Sequence, residues 1–452
     1  MLYRKIRSYI DAHLRSNEDK ILLIEGARQI GKSYIIRDVG TELYDNYVEI
    51  NFVEDDAGDK IFRNVRTTEE FYLNLSMVAG FKLDKYENTL VFIDEIQHYP
   101  QFLTMLKFLR QEHRYRFICS GSLLGIALKK TVSVPVGSII PKKMYQLDFE
   151  EFLIANDFGE DAIVHLRKSF EQKQPLAPEV HDKVLSLFKR YLLVGGMPDA
   201  VNEYLNSHNI VKVREAQESI RELYGVDASR YEEDAAKKLY IRRIYDMIPS
   251  QMENKKKRIV AKDILDRKGD RFSNYMEEFE YLINSGITIA SNAISNPKYP
   301  LAESQQKNLL KLYMNDVGML SSQLYHYNIQ PILNDIAGIN LGSVYESAVA
   351  QELKAHYEKL FYYDNKQKGK VDFLVADSGT MSVLPIEVKS GKDYTVHSAL
   401  DNLMTIQDYH IISSIVLSNE REIKTKGNIL YLPIYYVMFL ENKVPEKENL
   451  YF

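Results

Sequence analysis

The string GARQIGKS, residues 26–33, has the residue types and spacing of a loop that binds phosphate groups. It matches the pattern G-x-x-x-x-G-K-[ST] and directly follows the apolar run ILLIE. In such a loop, backbone N–H groups wrap the phosphates, the lysine reaches the β and γ phosphates, and the last hydroxyl group binds Mg²⁺. We therefore predict an ATP site formed by Gly26, Ala27, Arg28, Gln29, Ile30, Gly31, Lys32 and Ser33.

A second motif, TLVFIDE at residues 89–95, ends an apolar strand in two adjacent carboxylates. In a doubly wound parallel sheet, this strand end lies beside the phosphate-binding loop. Asp94 suits the shell of a Mg²⁺ ion shared with Ser33, and Glu95 can orient or deprotonate the water that attacks ATP. The next apolar run, RFICSGS, carries Ser120 and Ser122 at its end, where they can sense the γ-phosphate. These residues predict ATP hydrolysis.

A third group of chemical residues lies near the end of the chain, in the strings GKVDFLV and PIEVKSG. Side chains alternate along a strand, so Glu387 and Lys389 should share one face, and Asp372 should reach it from the neighbouring strand. Glu346, on the preceding helix, adds a third carboxylate. Such oxygens suit Mg²⁺ or Mn²⁺, and a lysine beside them can assist phosphodiester cleavage. We predict metal ligands at Asp372 and Glu387 and catalytic roles for all four residues; the alternative is a salt-bridge cluster that only binds partners.

The segments around these motifs predict an α/β protein. Between residues 20 and 147, short β-rich runs alternate with helical segments, which indicates a parallel sheet. Residues 148–204 look mostly helical and end in YLLVGGMPDAV, and the last part of the chain mixes one long helix with β-rich runs such as NILYLPIYYVMFL. We predict a nucleotide-binding domain with a helical lid (1–205), a helical or winged-helix domain (206–330), a second α/β domain (331–447) and a tag remnant (448–452).

The middle segment concentrates positive charge, with 12 basic and 5 acidic residues between positions 237 and 271. Its helices suggest a winged helix, but the outer face of the would-be recognition helix carries Glu277, Glu278 and Glu280, which repel phosphates. A structural winged helix is therefore the favoured interpretation. The basic run at residues 255–258 is the candidate for contact with a nucleic-acid backbone, and a solvated loop is the alternative.

Composition limits the remaining possibilities. The chain has 452 residues, 58 Lys and Arg against 63 Asp and Glu, and a net charge of −5, which argues against a protein that coats nucleic acid. Its single cysteine, Cys119, fits a reducing compartment and a cytoplasmic location. No apolar run approaches the ~18 residues that a membrane-spanning helix requires, so we expect no membrane association.

The sequence resembles the AAA-type ATPases of bacteria and archaea in which a P-loop domain precedes a conserved domain of uncharacterised function. The matching strings between residues 18 and 205 are GARQIGKS, FIDEIQHYP, ICSGSLLG, LDFEEFL and LLVGGMP. The resemblance implies a lid turn near the nucleotide at Gly195, Gly196 and Pro198, and assembly into homo-oligomeric rings. Where the family often has Gly-Arg, this chain has Gly137 and Ser138. The arginine finger is not identified; the candidates are Arg110, Arg114 and Arg116.

The spacing D-x14-E-x-K, from Asp372 through Glu387 to Lys389, resembles the restriction-endonuclease-like PD-(D/E)xK superfamily, although Val371 stands where that motif has proline. This second resemblance implies a nuclease-like domain that acts on DNA or RNA. Two functional hypotheses follow. In the first, the state of the bound nucleotide controls a metal-dependent nuclease. In the second, the chain is a regulatory ATPase switch whose last domain binds a partner without cutting it.

Overall fold

The computed structural model describes residues 2–51, 60–80, 83, 85–122, 137–230, 234–254, 257–265, 269–336, 339–391 and 393–442. Lys255 and Lys256 of the basic run and the predicted tag at 448–452 lie outside these ranges. The chain forms two compact units, Met1–Gln146 with Asn284–Ile287, and Leu147–Ile283 with Thr288–Phe452. The division between these units falls at residue 146. The reason is that the helices after residue 147 bond to later parts of the chain, as when the Phe149 amide donates to Glu352 Oε1 at 3.0 Å.

The first unit contains a five-stranded parallel sheet with the strand order β2-β3-β4-β1-β5. The parallel sheet expected from the alternating runs is confirmed, and β5 is a strand that the sequence analysis missed. Every residue of β3 and β4 is buried, as expected of parallel strands covered on both faces. The strands are β1 (Ile21–Glu25), β2 (Asn46–Asn51), β3 (Thr89–Asp94), β4 (Arg116–Gly121) and β5 (Ile139–Lys143); the helices are α1 (Lys5–Arg15), α2 (Lys32–Leu43), α3 (Thr68–Ala79) and α4 (Pro100–Glu112), with a 3-10 turn at Ile96–His98.

The first half of the second unit is helical, as predicted for residues 148–204. Its helices begin with strong local signals: Asp148 accepts from the Glu151 amide while the Glu151 carboxylate accepts from the Asp148 amide, a capping box that starts α5. The helices are α5 (Phe149–Ala155), α6 (Glu160–Glu171), α7 (Pro178–Val194), α8 (Pro198–Ser207), α9 (Ile210–Arg230), α10 (Ala235–Glu253), α11 (Lys262–Leu265), α12 (Met276–Asn284), α13 (Val317–Tyr325), α14 (Gln330–Asn334), α15 (Gly342–His356) and α16 (Ser398–Met404).

An eight-stranded mixed sheet forms the rest of the second unit, in the order β12-β13-β11-β10-β9-β8-β6-β7. The antiparallel strands β6 and β7 fall within residues 206–330, the range predicted as a helical or winged-helix domain, and they continue this sheet because β6 pairs in parallel with β8. Residues 288–314 and 360–433 thus share one sheet. The strands are β6 (Thr288–Ile294), β7 (Gln305–Met314), β8 (Leu360–Asn365), β9 (Gly369–Asp377), β10 (Ser382–Val388), β11 (Ser414–Ser418), β12 (Lys424–Lys426) and β13 (Ile429–Pro433).

The last β-rich run is shorter than the sequence suggested. β13 ends at Pro433, and residues Ile434–Phe439 form a 3-10 helix. Proline cannot donate a ladder hydrogen bond, which explains why the strand stops there although the apolar run continues. Other 3-10 turns are Phe272–Tyr275, Leu301–Ser304 and Gln407–Tyr409. Within the described residues, no helix has both the length and the apolar character needed to cross a membrane.

Candidate functional site

The phosphate-binding loop connects the end of β1 to the start of α2. A Cβ atom on Gly26 would lie 2.4 Å from the carbonyl oxygen of Met144, so only glycine fits there without movement of the backbone. Gly31 has φ +89° and precedes the first residue of α2, in a conformation that side chains disfavour. The two motif glycines are therefore required by the path of the loop. The first N–H groups of a helix have no carbonyl partner within the helix, so the amino end of α2 favours the binding of an anion.

Lys32 is buried and is held by the loop itself. Its Nζ donates to the carbonyl oxygens of Gly26 at 3.0 Å and Ala27 at 2.7 Å. Burial lowers its pKa, an effect that the carboxylates of Glu95 and Asp94 oppose. The lysine thus lies within electrostatic range of both acids of the second motif, as a residue that neutralises phosphate charge must.

Asp94, at the end of β3, is the centre of an oxygen-rich cluster. Ser33 Oγ donates to Asp94 Oδ2 at 2.6 Å, and Ser120 Oγ donates to Asp94 Oδ1. Asn51 Nδ2, from the end of β2, is 3.4 Å from Asp94 Oδ2. Burial raises the pKa of Asp94. The Ser33 hydroxyl and the Asp94 carboxylate are hard oxygen donors and fit Mg²⁺, the ion predicted for them.

Glu95 adopts a left-handed backbone conformation, with φ +49°, which turns its side chain away from the line of β3. Ser122 Oγ donates to Glu95 Oε2 at 2.9 Å, and Gln97 Nε2 donates to the same oxygen. Burial alone would raise the pKa of Glu95, but the charge of Lys32 and these hydrogen bonds together lower it. Glu95 is therefore held as an ionised carboxylate able to accept a proton.

Three further residues support the loop and the carboxylates without having been predicted. Arg4 is buried and donates from Nη1 to the Ile30 carbonyl at 2.8 Å and from Nη2 to the Tyr145 carbonyl. Asn51 contacts Asp94, and Gln97 contacts Glu95 and Ser122. Asn51 was detectable as a polar residue ending a β-rich run, whereas nothing in the sequence around Arg4 indicates its long-range contact.

The residues of the third group also come together, in the second unit. Glu346 on α15 is buried, and both of its oxygens are engaged: Oε1 accepts from Lys311 Nζ and from Tyr313 OH, each at 2.7 Å, and Oε2 accepts from Lys257 Nζ at 2.7 Å. Burial would raise the pKa of Glu346, but the two ammonium groups lower it to about 2. Glu346 is thus an ionised carboxylate paired with two lysines.

The other three predicted residues lie on β9 and at the end of β10. Lys389 Nζ is 2.8 Å from Glu387 Oε1, so these side chains share a face of the sheet. Asp372 Oδ2 accepts from the Val388 amide at 2.9 Å. Burial and the Asp372 charge raise the pKa of Glu387 to about 7, and burial and the Glu346 charge raise the pKa of Asp372. The mutual effects on pKa place all three carboxylates in one electrostatic cluster.

The donor set fits a divalent ion poorly. Both Glu346 oxygens face ammonium or hydroxyl donors, and one Glu387 oxygen faces Lys389. Across the part of the chain that the structure describes, no group of three or more His, Cys, Asp and Glu side chains is arranged to hold a metal ion. The three carboxylates of the cluster are matched by the three ammonium groups of Lys257, Lys311 and Lys389. With all six groups ionised, the formal charges of the cluster sum to zero.

Two of these lysines were not expected here. Lys311 comes from β7, and its ammonium group also lies 4.6 Å from the ring of Tyr362. Lys257 belongs to the basic run for which a phosphate contact or a solvated loop was predicted; in the structure its ammonium group pairs with Glu346 at 2.7 Å. Arg258 of the same run is 3.7 Å from Asp364. These contacts form because β7, α15 and β9 lie together. The sequence alone does not indicate that the two lysines pair with a buried carboxylate.

The turn GGMP, which the resemblance linked to a nucleotide lid, is anchored inside the second unit. The Gly196 amide donates to Asp316 Oδ2 at 2.6 Å, and the Gly196 carbonyl accepts from the Leu147 amide at 2.8 Å. A Cβ atom on Gly196 would lie 1.9 Å from the Leu147 carbonyl oxygen. Burial raises the pKa of Asp316 to about 6 against the opposing effect of the amides that bond it. Close packing of the turn against Leu147 and Asp316 therefore explains why position 196 requires glycine.

Comparison with protein families divides the chain into three matched parts. Residues 18–153 match an AAA domain, residues 185–327 match a domain of unknown function (DUF8612), and residues 341–437 match another domain of unknown function (DUF4143). The first match covers the whole phosphate-binding site described above. No curated protein sequence matches the chain.

Several solved structures are distantly similar. The Walker-type ATPase PABY2304 of Pyrococcus abyssi is 15% identical over 71% of this chain and 95% of its own, with a TM-score of 0.42. The Holliday junction branch migration motor RuvB of Thermotoga maritima is 12% identical over 64% and 89%, with a TM-score of 0.29. The Hsp104–ADP complex of Saccharomyces cerevisiae is 12% identical over 78% and 53%, also with a TM-score of 0.29. These scores are too low to support an argument.

Proposed function

We propose that the first unit, an AAA-type P-loop ATPase domain, works as a hydrolytic switch for the second unit. The observation that carries this proposal is the convergence of Lys32, Asp94 and Glu95 at the ends of β1 and β3, with the two strand-end serines bonded to the two acids. The AAA domain match over residues 18–153 agrees with it.

The chemistry follows from the contacts of these side chains. The loop amides and Lys32 bind the β and γ phosphates of ATP, and Ser33 and Asp94 would hold Mg²⁺, which supplies charge neutralisation on the phosphate oxygens. Glu95 orients a water molecule and accepts its proton as the water oxygen bonds to the γ-phosphorus. The bond to the bridging oxygen breaks, and ADP and inorganic phosphate are released. Ser122 and Gln97 fix the direction in which Glu95 points.

Two substitutions separate binding from chemistry. Lys32→Ala should abolish turnover and weaken ATP binding, whereas Glu95→Gln should abolish turnover and still retain ATP, because Glu95 does not hold the phosphates. Turnover is measured by phosphate release and binding by titration with a fluorescent ATP analogue. Normal hydrolysis by both variants would contradict the assignment of the site.

For the second unit, the geometry favours the regulatory hypothesis, in which the nuclease-like domain binds a partner without cutting it. The supporting observation is the balance of three carboxylates by three lysines, which leaves little negative charge to attract a divalent ion. On this proposal the cluster fixes the mutual positions of β7, α15 and β9. Such a buried network is costly to disturb and specifies one arrangement of the strands that it joins.

Metal-dependent cleavage of DNA or RNA is the second candidate, favoured by one observation. Glu387 Oε2 is buried and has no hydrogen-bond partner among the described residues, as an oxygen reserved for a ligand would be. Incubation of the full chain with supercoiled plasmid and with single-stranded RNA, in Mn²⁺ or Mg²⁺ and with or without ATP, tests it. Nicking that is lost in Asp372→Ala while ATP turnover persists would favour the nuclease; no cleavage under any condition would favour the binding module.

Two further parts of the proposal concern the setting in which the switch works. We propose a homo-oligomer, as the resemblance to AAA-type ATPases implies, and a cytoplasmic location, as the single cysteine suggests. Light scattering with and without ATP tests the first. A single monomeric mass in both conditions would remove assembly from the proposal.

A further inference from the structure

Positive charge at the γ-phosphate beyond that of the loop lysine and Mg²⁺ accelerates ATP hydrolysis, and an arginine commonly supplies it. The three arginines that the sequence offered are engaged elsewhere. Arg110 bonds both Asp19 oxygens, the shorter contact being 2.8 Å, and Arg114 lies 4.7 Å from the centre of the Tyr72 ring. Arg116 donates to the His13 carbonyl at 2.9 Å. None of these contacts involves a residue of the ATP site.

The position of Arg116 along β4 gives its distance from the ATP site. Arg116 is the first residue of β4, whereas Ser122 follows its last residue. At about 3.3 Å per residue, the two positions are roughly 20 Å apart along the strand. Arg110 contacts the Gly137 carbonyl at 2.9 Å, close to the start of β5, which is parallel to β1. Arg110 and Arg116 therefore lie at the opposite end of the sheet from the phosphate-binding loop of their own chain.

Arg28 lies at the correct end. It belongs to the phosphate-binding loop, and its Nε is 3.4 Å from Ser122 Oγ. Ser122 Oγ in turn donates to Glu95 Oε2 at 2.9 Å. A chain of two contacts thus joins the Arg28 guanidinium to the carboxylate that orients water, and the same loop carries Lys32. If Glu95 activates a water molecule that attacks the γ-phosphate, this phosphate has to lie close to both the Glu95 carboxylate and the Arg28 guanidinium.

We propose that Arg28 is a catalytic residue that acts within its own chain, contacting the γ-phosphate and stabilising the charge that develops on its oxygens. This inference rests on the proposed ATPase activity. As the water oxygen bonds to the γ-phosphorus, Glu95 takes the proton and the electron pair of the broken bond stays on ADP. A guanidinium can donate two parallel hydrogen bonds to phosphate oxygens, which an ammonium group cannot match in geometry.

The test compares Arg28→Ala and Arg28→Lys with the unchanged full chain, and Arg110→Ala is the matched control. We expect Arg28→Ala to lower kcat by about 10³-fold, within the range of arginine fingers, while the Kd for ATP changes less than about threefold. Binding of ADP with aluminium fluoride, which mimics the transferring phosphoryl group, should be lost although ADP alone still binds. Arg28→Lys should recover part of kcat, and Arg110→Ala should turn over ATP normally.

Four other outcomes would overturn the proposal, and each gives a different pattern of binding and turnover. Equal turnover by Arg28→Ala and the unchanged chain would remove Arg28 from catalysis and leave the ATPase assignment intact. A parallel loss of ATP affinity and turnover in Arg28→Ala, with both restored by Arg28→Lys, would make Arg28 a residue that only shapes the loop. Loss of turnover in Arg110→Ala alone would return the role to Arg110. No hydrolysis by the unchanged chain would refute the proposed function together with this inference.

Discussion

Replacing Lys311 by methionine should be among the most damaging single changes in the second unit. Its partner Glu346 is buried, with 2% of the side chain exposed, and cannot turn to water when the ammonium group is removed. The pKa of Glu346 is lowered from 4.5 to about 2 because its two lysines outweigh the effect of burial. Removing one partner of a buried ion pair typically costs ~3–5 kcal/mol, which is the loss of stability that we expect for Lys311→Met.

The sign of the pH dependence follows from the same shift. Because the pKa of Glu346 is lower in the folded chain, the stabilisation is complete above its ordinary value of 4.5 and is lost as pH falls toward about 2. In Lys311→Met, Lys257 and the Tyr313 hydroxyl still favour the ionised form of Glu346, but the group that lowers its pKa most is gone. The pKa of Glu346 therefore rises, and the loss of stability should begin at a higher pH.

Hydrogen–deuterium exchange of peptides from β7 and α15 measures the local free energy of opening. Lys370→Met is the matched control, because Lys370 pairs with Asp364 at 3.2 Å on the same sheet but is 41% exposed, which predicts a cost below about 1 kcal/mol. The double variant Lys311→Met, Glu346→Met should recover part of the loss, since it removes the buried Glu346 carboxylate together with Lys311, although Lys257 also loses its partner. Equal effects of Lys311→Met and Lys370→Met would refute the buried ion-pair argument.

Two other substitutions test the packing around the ATP site and the GGMP turn. Arg4→Ala should weaken ATP binding about tenfold, because the peptide between Ile30 and Gly31 loses the donor that fixes its carbonyl; isothermal titration measures this, and an unchanged Kd would contradict it. Gly196→Ala should lower the melting temperature markedly, since the new Cβ would meet the Leu147 carbonyl, whereas Gly225→Ala in α9, with open space around it, should raise stability by about 0.5–1 kcal/mol. Similar melting temperatures for the two variants would show that the turn relaxes.

The residues of the proposed ATP site could be found in the sequence because they lie in two short motifs. GARQIGKS and TLVFIDE each combine a strand with the residues at its end, and parallel strands bring such ends to one edge of a sheet. The contacts that support this site were harder to predict from the sequence. Arg4 reaches the Ile30 carbonyl from before α1, and no periodic pattern marks a side chain that bonds a distant backbone oxygen.

The second unit shows where reasoning from the sequence stops. Alternation along β10 indicated that Glu387 and Lys389 would share a face, and their ammonium and carboxylate groups do meet. The partners of Glu346, however, come from β7 and from the loop before α11, roughly 35 and 90 residues away. Long-range pairing of β6 with β8 decides these contacts, and the local pattern of residues 206–330 did not indicate that strands in this range belong to a larger sheet.

The central claim, hydrolysis of ATP at the site of Lys32, Asp94 and Glu95, is tested most directly by single-turnover phosphate release from the full chain with Mg²⁺. The account predicts release by the unchanged chain and none by Glu95→Gln, although Glu95→Gln should bind ATP as tightly as the unchanged chain. Absence of phosphate release from the unchanged chain with bound ATP, or equal release from Glu95→Gln, would contradict it.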